Sequence, residues 1–212
     1  ICIITGDTNP GDCPYYDISP EIGITSTPAI DQNAGIIYVV ARTKNANDNT
    51  YHTSLHALDL KTGNELLGGP VEIAGQVNGT GVGSQAGVIT FDPTFHNQRP
   101  SLLLANGTLY IAFGSVGDIG TWHGWIMSYN ASTLQQEGIF NDTPNGSEGV
   151  IWSAGQGLVA DAANNVYTIT GNGDFTANTP GGLDYGDSFV KFTGPSLTVG
   201  DYFTPSNQGT LN

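Results

Sequence analysis

Positive charge is nearly missing from this sequence. Five Lys and Arg stand against nineteen Asp and Glu in 212 residues, a formal net charge of −14. Neutralising phosphates requires basic side chains, so nucleic-acid binding is excluded as a function class, and anionic membrane surfaces are disfavoured for the same reason. No apolar run approaches the length of a membrane span, so no membrane insertion is expected. No stretch keeps a helical period. The one glycine-rich loop with dinucleotide lettering, Gly81–Ala86, has no helix to follow it. Cysteine is scarce as well, with only Cys2 and Cys13. They read either as a disulfide closing a short loop, contributing roughly 2–3 kcal/mol and implying an oxidising compartment, or as two unrelated thiols. No zinc-type cysteine pair and no nucleophile-elbow serine is present.

What the chain has in abundance is glycine, thirty in all. With so few charged residues, that is the composition of a turn-rich all-β protein. Ser101–Phe140 holds four short apolar runs separated by turn residues, including Asn106-Gly107, a two-residue hairpin signal. Aligned on the tyrosine of its second run, the unit occurs three times, at Tyr38, Tyr110 and Tyr167. Four antiparallel strands in about 40 residues is the size of one β-propeller blade. Blades are expected near residues 26–73, 99–141 and 155–205 of a single propeller segment. Residues 1–25 would form an N-terminal connection and 206–212 the start of the next inter-blade connection. An antiparallel sandwich built from similar hairpins is the alternative. Propellers have four to eight blades, so the remaining blades are expected from the same chain or from other chains.

The text STPAIDQNAGIIYVV followed by SLHALDLKTGNE resembles the repeat of pyrroloquinoline-quinone-type β-propellers. DISPEIGITSTPAID, HNQRPSLLLANGTLYIAFGS, HGWIMSYNASTLQQ and DYGDSFVKF resemble a secreted microbial subgroup of mostly unassigned function. The resemblance implies a propeller fold and a secreted, extracellular or periplasmic location. Its quinoprotein members hold a quinone between a tryptophan and an adjacent-cysteine disulfide, with calcium and an aspartate base. Here the cysteines are eleven positions apart, and the cofactor's three carboxylates would have only Arg42, Lys44, Lys61, Arg99 and Lys191 to meet. Pyrroloquinoline quinone is therefore not expected on this chain alone, and no cofactor is required by its residues.

Short turns join the first strand to the second and the third to the fourth in each repeat. Long connections lie at 41–53, 115–123 and 171–187, and between repeats at 74–98 and 142–154. Strand alternation puts all of these on one face, where binding residues usually reside. Counting back seven positions from Asp59, Asn130 and Gly194 reaches His52, His123 and Asp187. These read either as a metal-binding set around an axis or as residues that lock their own strands. Asp118, Asp174, Asp184 and Asp187 are the calcium candidates, although no twelve-residue calcium loop is present. His96 and Arg99 precede the second repeat and are further ligand candidates. Trp125 reads as core, whereas Trp122 and Trp152 read as exposed rings able to stack on a sugar. Sequons at Asn78, Asn106, Asn130, Asn141 and Asn145 are glycosylation candidates or simply turns. The expected function is a non-enzymatic extracellular binding or scaffold module with a carbohydrate, small-molecule or protein partner. The alternatives are a fragment of a quinone-dependent sugar or alcohol dehydrogenase and a structural subunit of a surface assembly.

Overall fold

Wherever two alternating runs flank a tight turn, they pair. The computed structural model describes residues 22–153 and 155–211 and is all-β. Cys2 and Cys13, and with them the disulfide expectation, lie outside the described residues. The first sheet is formed by β1 (Ala29–Asp31), β2 (Ile36–Lys44), β3 (Tyr51–Asp59) and β4 (Val71–Glu72), antiparallel in chain order. A small hairpin, β5 (Gln76–Asn78) with β6 (Val88–Thr90), follows. The second sheet contains β7 (His96–Asn97), β8 (Leu103–Ala105), β9 (Thr108–Ser115), β10 (Trp125–Asn130) and β11 (Gln136–Asn141), with β7 and β8 pairing one after the other along β9. The third is β12 (Val159–Ala160), β13 (Asn165–Ile169), β14 (Phe189–Thr193) and β15 (Thr198–Phe203), again in chain order. Among the described residues no helix is long and apolar enough to cross a membrane.

Local chemistry sets the turns. Asn106 and Gly107 both take positive φ (50° and 80°), the conformation a two-residue hairpin needs. Asp31 Oδ1 accepts from the amides of Asn33 and Ala34, and Asp161 Oδ1 accepts from those of Ala163 and Asn165, so a carboxylate shapes the first turn of the first and third sheets. Asp59 does the same between β3 and β4.

Register puts the three tyrosines at one structural position. Tyr38 lies opposite Ala29 and Ala57, Tyr110 opposite Leu103 and Ser128, and Tyr167 opposite Val159 and Lys191. Tyr38, Val40, Leu55 and Ala57 pack in one core with Leu109, Ile111, Phe113, Trp125 and Met127 of the second sheet. The opposite face of that sheet, Tyr110, Ala112, Ile126 and Phe140, packs in a second core with Val166, Val190 and Phe192 of the third. Each sheet thus has a forward face, turned toward the following sheet, and a backward face. The Tyr38 hydroxyl crosses the first joint to the Ala131 carbonyl at 2.8 Å, and the Ser128 hydroxyl crosses the second to the Pro195 carbonyl.

One expected connection is corrected. β2 and β3 stay paired out to Lys44 opposite Tyr51, so their connection is 45–50 and not 41–53. His52 consequently sits within a strand.

Candidate binding face

The short turns lie at one end of the sheets, and the connections 45–50, 116–124 and 170–188 lie at the other. The stretches between sheets, 73–102 and 142–158, begin and finish at that same end. They are knitted together by backbone bonds. Gly81 and Val82 donate to the carbonyls of Pro144 and Gly146, Gly149 donates to Asn172, and Tyr185 donates to Asp142. The approach of 79–82 to 144–146 demands glycine: a Cβ on Gly79 or Gly81 would meet the Pro144 or Gly146 carbonyl at 2.1 or 2.3 Å.

Beneath these loops lies a buried polar layer. His96 donates from Nδ1 to the Asp92 carbonyl at 2.7 Å, and its Nε2 accepts from the His123 amide at 3.2 Å and the Trp125 indole at 3.1 Å. Protonating Nε2 would break two bonds in a dry site. Burial accordingly pushes this imidazole down to about 4. His123 Nε2 faces the Val82 carbonyl at 2.8 Å; a carbonyl only accepts, so the neutral ring carries its proton there, while Nδ1 lies 2.9 Å from the Thr143 hydroxyl, which also lies 2.6 Å from the Glu148 carbonyl. Burial lowers the pKa of His123 as well. Asp142 is completely buried. Its Oδ1 accepts from the Gly124 amide at 2.8 Å, while Oδ2 has no partner. Burial raises this carboxyl to about 8, opposed by the hydrogen bonds from Gly124 and Thr143. Asp184 is buried too, but both oxygens are served, by the Asn145 amide at 2.8 Å and the Thr176 hydroxyl at 2.6 Å.

The sequence-derived candidates therefore separate. His52 is on the backward face of the first sheet, 3.0 Å from Glu72; His123 is in the buried layer; Asp187 accepts from Gln208 at 3.1 Å. No group of three His, Cys, Asp or Glu able to hold a metal gathers among the described residues. Of the calcium candidates, Asp118 bonds Ser115, Asp174 accepts from Ser147, and Asp184 is occupied as above. His96 is a core residue. Trp122 is buried, which corrects the expectation of an exposed ring, and Trp125 is fully buried. Trp152 is 37% exposed, its six-membered ring packed over the bare Cα of Gly114, where a Cβ would lie 2.9 Å away. Arg99 is exposed and, among the described residues, reaches the Thr25 carbonyl at 3.5 Å. Among the sequons, Asn78, Asn106 and Asn145 are exposed, Asn130 is partly buried, and Asn141 is buried, which closes it to a glycan. Asn145 also accepts from Thr80.

Pyrroloquinoline quinone does not fit these residues. Its carboxylates need converging cations, but Arg42 is buried against the Tyr51 ring at 4.3 Å, Lys61 is in a short turn and Lys191 is in the middle of a sheet, while the two that stand exposed toward the loop end are on different sheets, Lys44 at the end of β2 and Arg99 between β7 and β8. Sequence reasoning missed Asp142 and Thr143, because Asn141-Asp142-Thr143-Pro144-Asn145-Gly146 reads as a polar turn. The two glycines that make room for the carboxyl, Gly124 and Gly149, are the only signal, and their meeting is set by tertiary structure. No protein-family model matches the chain, and no curated protein matches it.

Proposed function

We propose that the three large sheets are consecutive blades of a β-propeller and that the chain is a non-enzymatic extracellular binding module using the loop-rich face. The observation that carries this reading is Trp152. Of three tryptophans it alone is exposed, on the face where the loop backbones are bonded to one another, above glycine rather than a side chain. A flat aromatic ring on a rigid floor suits the apolar face of a sugar ring, and Arg99 supplies hydrogen-bond donors on the same face. The perturbed acids and bases nearby, His96, His123 and Asp142, are buried beneath the loops and are engaged in holding them, which favours binding over catalysis. The acidic, lysine-poor composition supports an extracellular setting.

The test is a fluorescence titration with neutral oligosaccharides of glucose, xylose and N-acetylglucosamine. Trp122 and Trp125 are buried, so a saturable change in emission reports Trp152. Trp152→Ala should weaken binding roughly thirtyfold, the loss typical of an aromatic anchor, with melting temperature little changed. Binding unaffected by this substitution, or none to any of the sugars, would reject the carbohydrate reading.

A further inference from the structure

An asparagine followed by glycine carries its own nucleophile. The glycine amide nitrogen can attack the asparagine Cγ, because the glycine has no Cβ to shield it. The chain contains four such pairs, Asn78-Gly79, Asn106-Gly107, Asn145-Gly146 and Asn172-Gly173. Attack requires a nitrogen that can give up its proton to solvent and a side chain free to swing toward it. A buried or hydrogen-bonded amide must first be released.

Three of the four pairs are held. Gly79 is buried, and its amide donates to the Gly87 carbonyl at 2.9 Å. The Gly146 amide donates to the Thr143 carbonyl at 3.1 Å, while Asn145 Oδ1 accepts from the amide and the hydroxyl of Thr80 at 3.2 and 3.1 Å. Gly173 is buried, and Asn172 Nδ2 donates to Glu148 Oε2 at 2.9 Å. Asn106-Gly107 differs on every count. Both residues are exposed, and the space where a Gly107 Cβ would stand is open. Among the described residues neither the Asn106 side chain nor the Gly107 amide has a hydrogen-bond partner.

We infer that Asn106 is the residue at which the folded chain modifies itself, its amide becoming a carboxylate through a cyclic imide. The Gly107 nitrogen, its proton taken by hydroxide, bonds to Asn106 Cγ. Ammonia leaves from Cγ, completed by a proton from water. A water molecule then adds to one imide carbonyl and breaks that carbonyl's bond to the nitrogen. Opening at Cγ leaves aspartate, and opening at the main-chain carbonyl leaves isoaspartate. One water is taken up, one ammonia is released, and nothing is oxidised or reduced.

Isoaspartate routes the main chain through the side chain and so adds a methylene to a two-residue hairpin. Loop length fixes hairpin register, so the pairs Ala105–Thr108 and then Leu104–Leu109 are disturbed first. Leu109 is fully buried in the core shared by the first and second sheets. The Gly107 carbonyl also accepts from the Ala131 amide of the neighbouring turn at 2.8 Å. A change at an exposed turn therefore reaches a core strand.

The experiment uses the full chain, made without glycosylation because Asn106 is also a sequon. It is incubated at mildly alkaline pH, where more of the amide is deprotonated, and mapped by mass spectrometry with electron-transfer fragmentation, which separates isoaspartate from aspartate. Asn106 should convert about tenfold faster than Asn78, Asn145 and Asn172, since those sites must first release a hydrogen bond. In concentrated urea all four should convert at comparable rates. Asn106→Gly, which keeps a hairpin-forming turn, should remove the product. Aged wild-type chain should gain a lower-melting population that the aged variant lacks. Equal rates at the four sites in the folded chain, or an Asn106 that stays intact when folded and converts in urea, would overturn the assignment. A converted chain that melts like fresh protein would overturn the effect on hairpin register.

Discussion

Asp142 fits only because two glycines stand beside it: a Cβ on Gly124 or Gly149 would lie 2.4 Å from its Oδ2. That position ties loops from two sheets, through the Gly124 amide on one side and the Tyr185 amide on the other, and it makes stability depend on pH with a definite sign. The carboxyl is raised from 3.8 to about 8. Between those values the folded chain holds a proton that the unfolded chain has released, so this contribution is complete below about pH 4 and is lost as pH rises through 8. His96, lowered from 6.5 to about 4, and His123, lowered in the same direction, act oppositely. Their contribution is present above about pH 6.5 and is lost as pH falls. Between about pH 4 and 6.5 the Asp142 and His96 protons oppose one another and His123 leaves a net gain with pH, whereas from 6.5 to 8 Asp142 acts alone, so stability should rise gently to about pH 6.5 and then fall toward pH 8, by about 1.4 kcal/mol for each unit in which one proton differs. Asp142→Asn should flatten the alkaline limb and steepen the acid one, where its proton no longer opposes those of the histidines. A wild-type profile flat from pH 6.5 to 8, or an alkaline limb unaltered in the variant, would show that Asp142 does not hold its proton. Little of this was legible in the sequence. His123 could be singled out by alignment, but its partner Val82 lies 41 residues away and is brought to it by the β5–β6 hairpin.

Strands and turns were far more legible than loops. The four apolar runs within Ser101–Phe140 become β8–β11 in chain order, with Asn106-Gly107 as the turn between the first two. Alternation and turn chemistry are local, and they suffice for a hairpin. β4 illustrates the limit: of residues 65–73 only Val71–Glu72 becomes strand, because the chain makes a tight turn at Leu67-Gly68, both at positive φ, before pairing. What two sheets do to each other is not local either. Gly138 lies on β11, yet its absent Cβ is required by the third sheet, since a methyl there would meet the Pro195 carbonyl at 2.3 Å. That carbonyl also accepts the Ser128 hydroxyl across the joint. Gly138→Ala should therefore force the second and third sheets apart locally and destabilise the chain by about 1–3 kcal/mol, the usual cost of overpacking. Urea titration would measure it. Gly63→Ala provides a control in open space, with no neighbour within 4 Å, whose cost comes from its positive φ alone. Equal losses in the two variants would mean that the joint yields freely and that the close approach has no structural weight.

For the molecule as a whole the dominant feature is its charge. Five cations cannot balance nineteen carboxylates, and the ion pairs among the described residues, His52–Glu72 and His56–Glu65, depend on protonated histidine. Self-repulsion of like charges disfavours any compact state, and salt screens it over a Debye length of about 8 Å at physiological ionic strength. Raising salt from low to physiological strength should therefore raise the melting temperature of the chain. The effect belongs to the surface as a whole, so it should survive Asp142→Asn, whose buried carboxyl already carries its proton near neutral pH. Melting curves over a sodium chloride series measure the effect. A melting temperature indifferent to salt would show that the carboxylates are too widely spaced on the surface for their repulsion to matter.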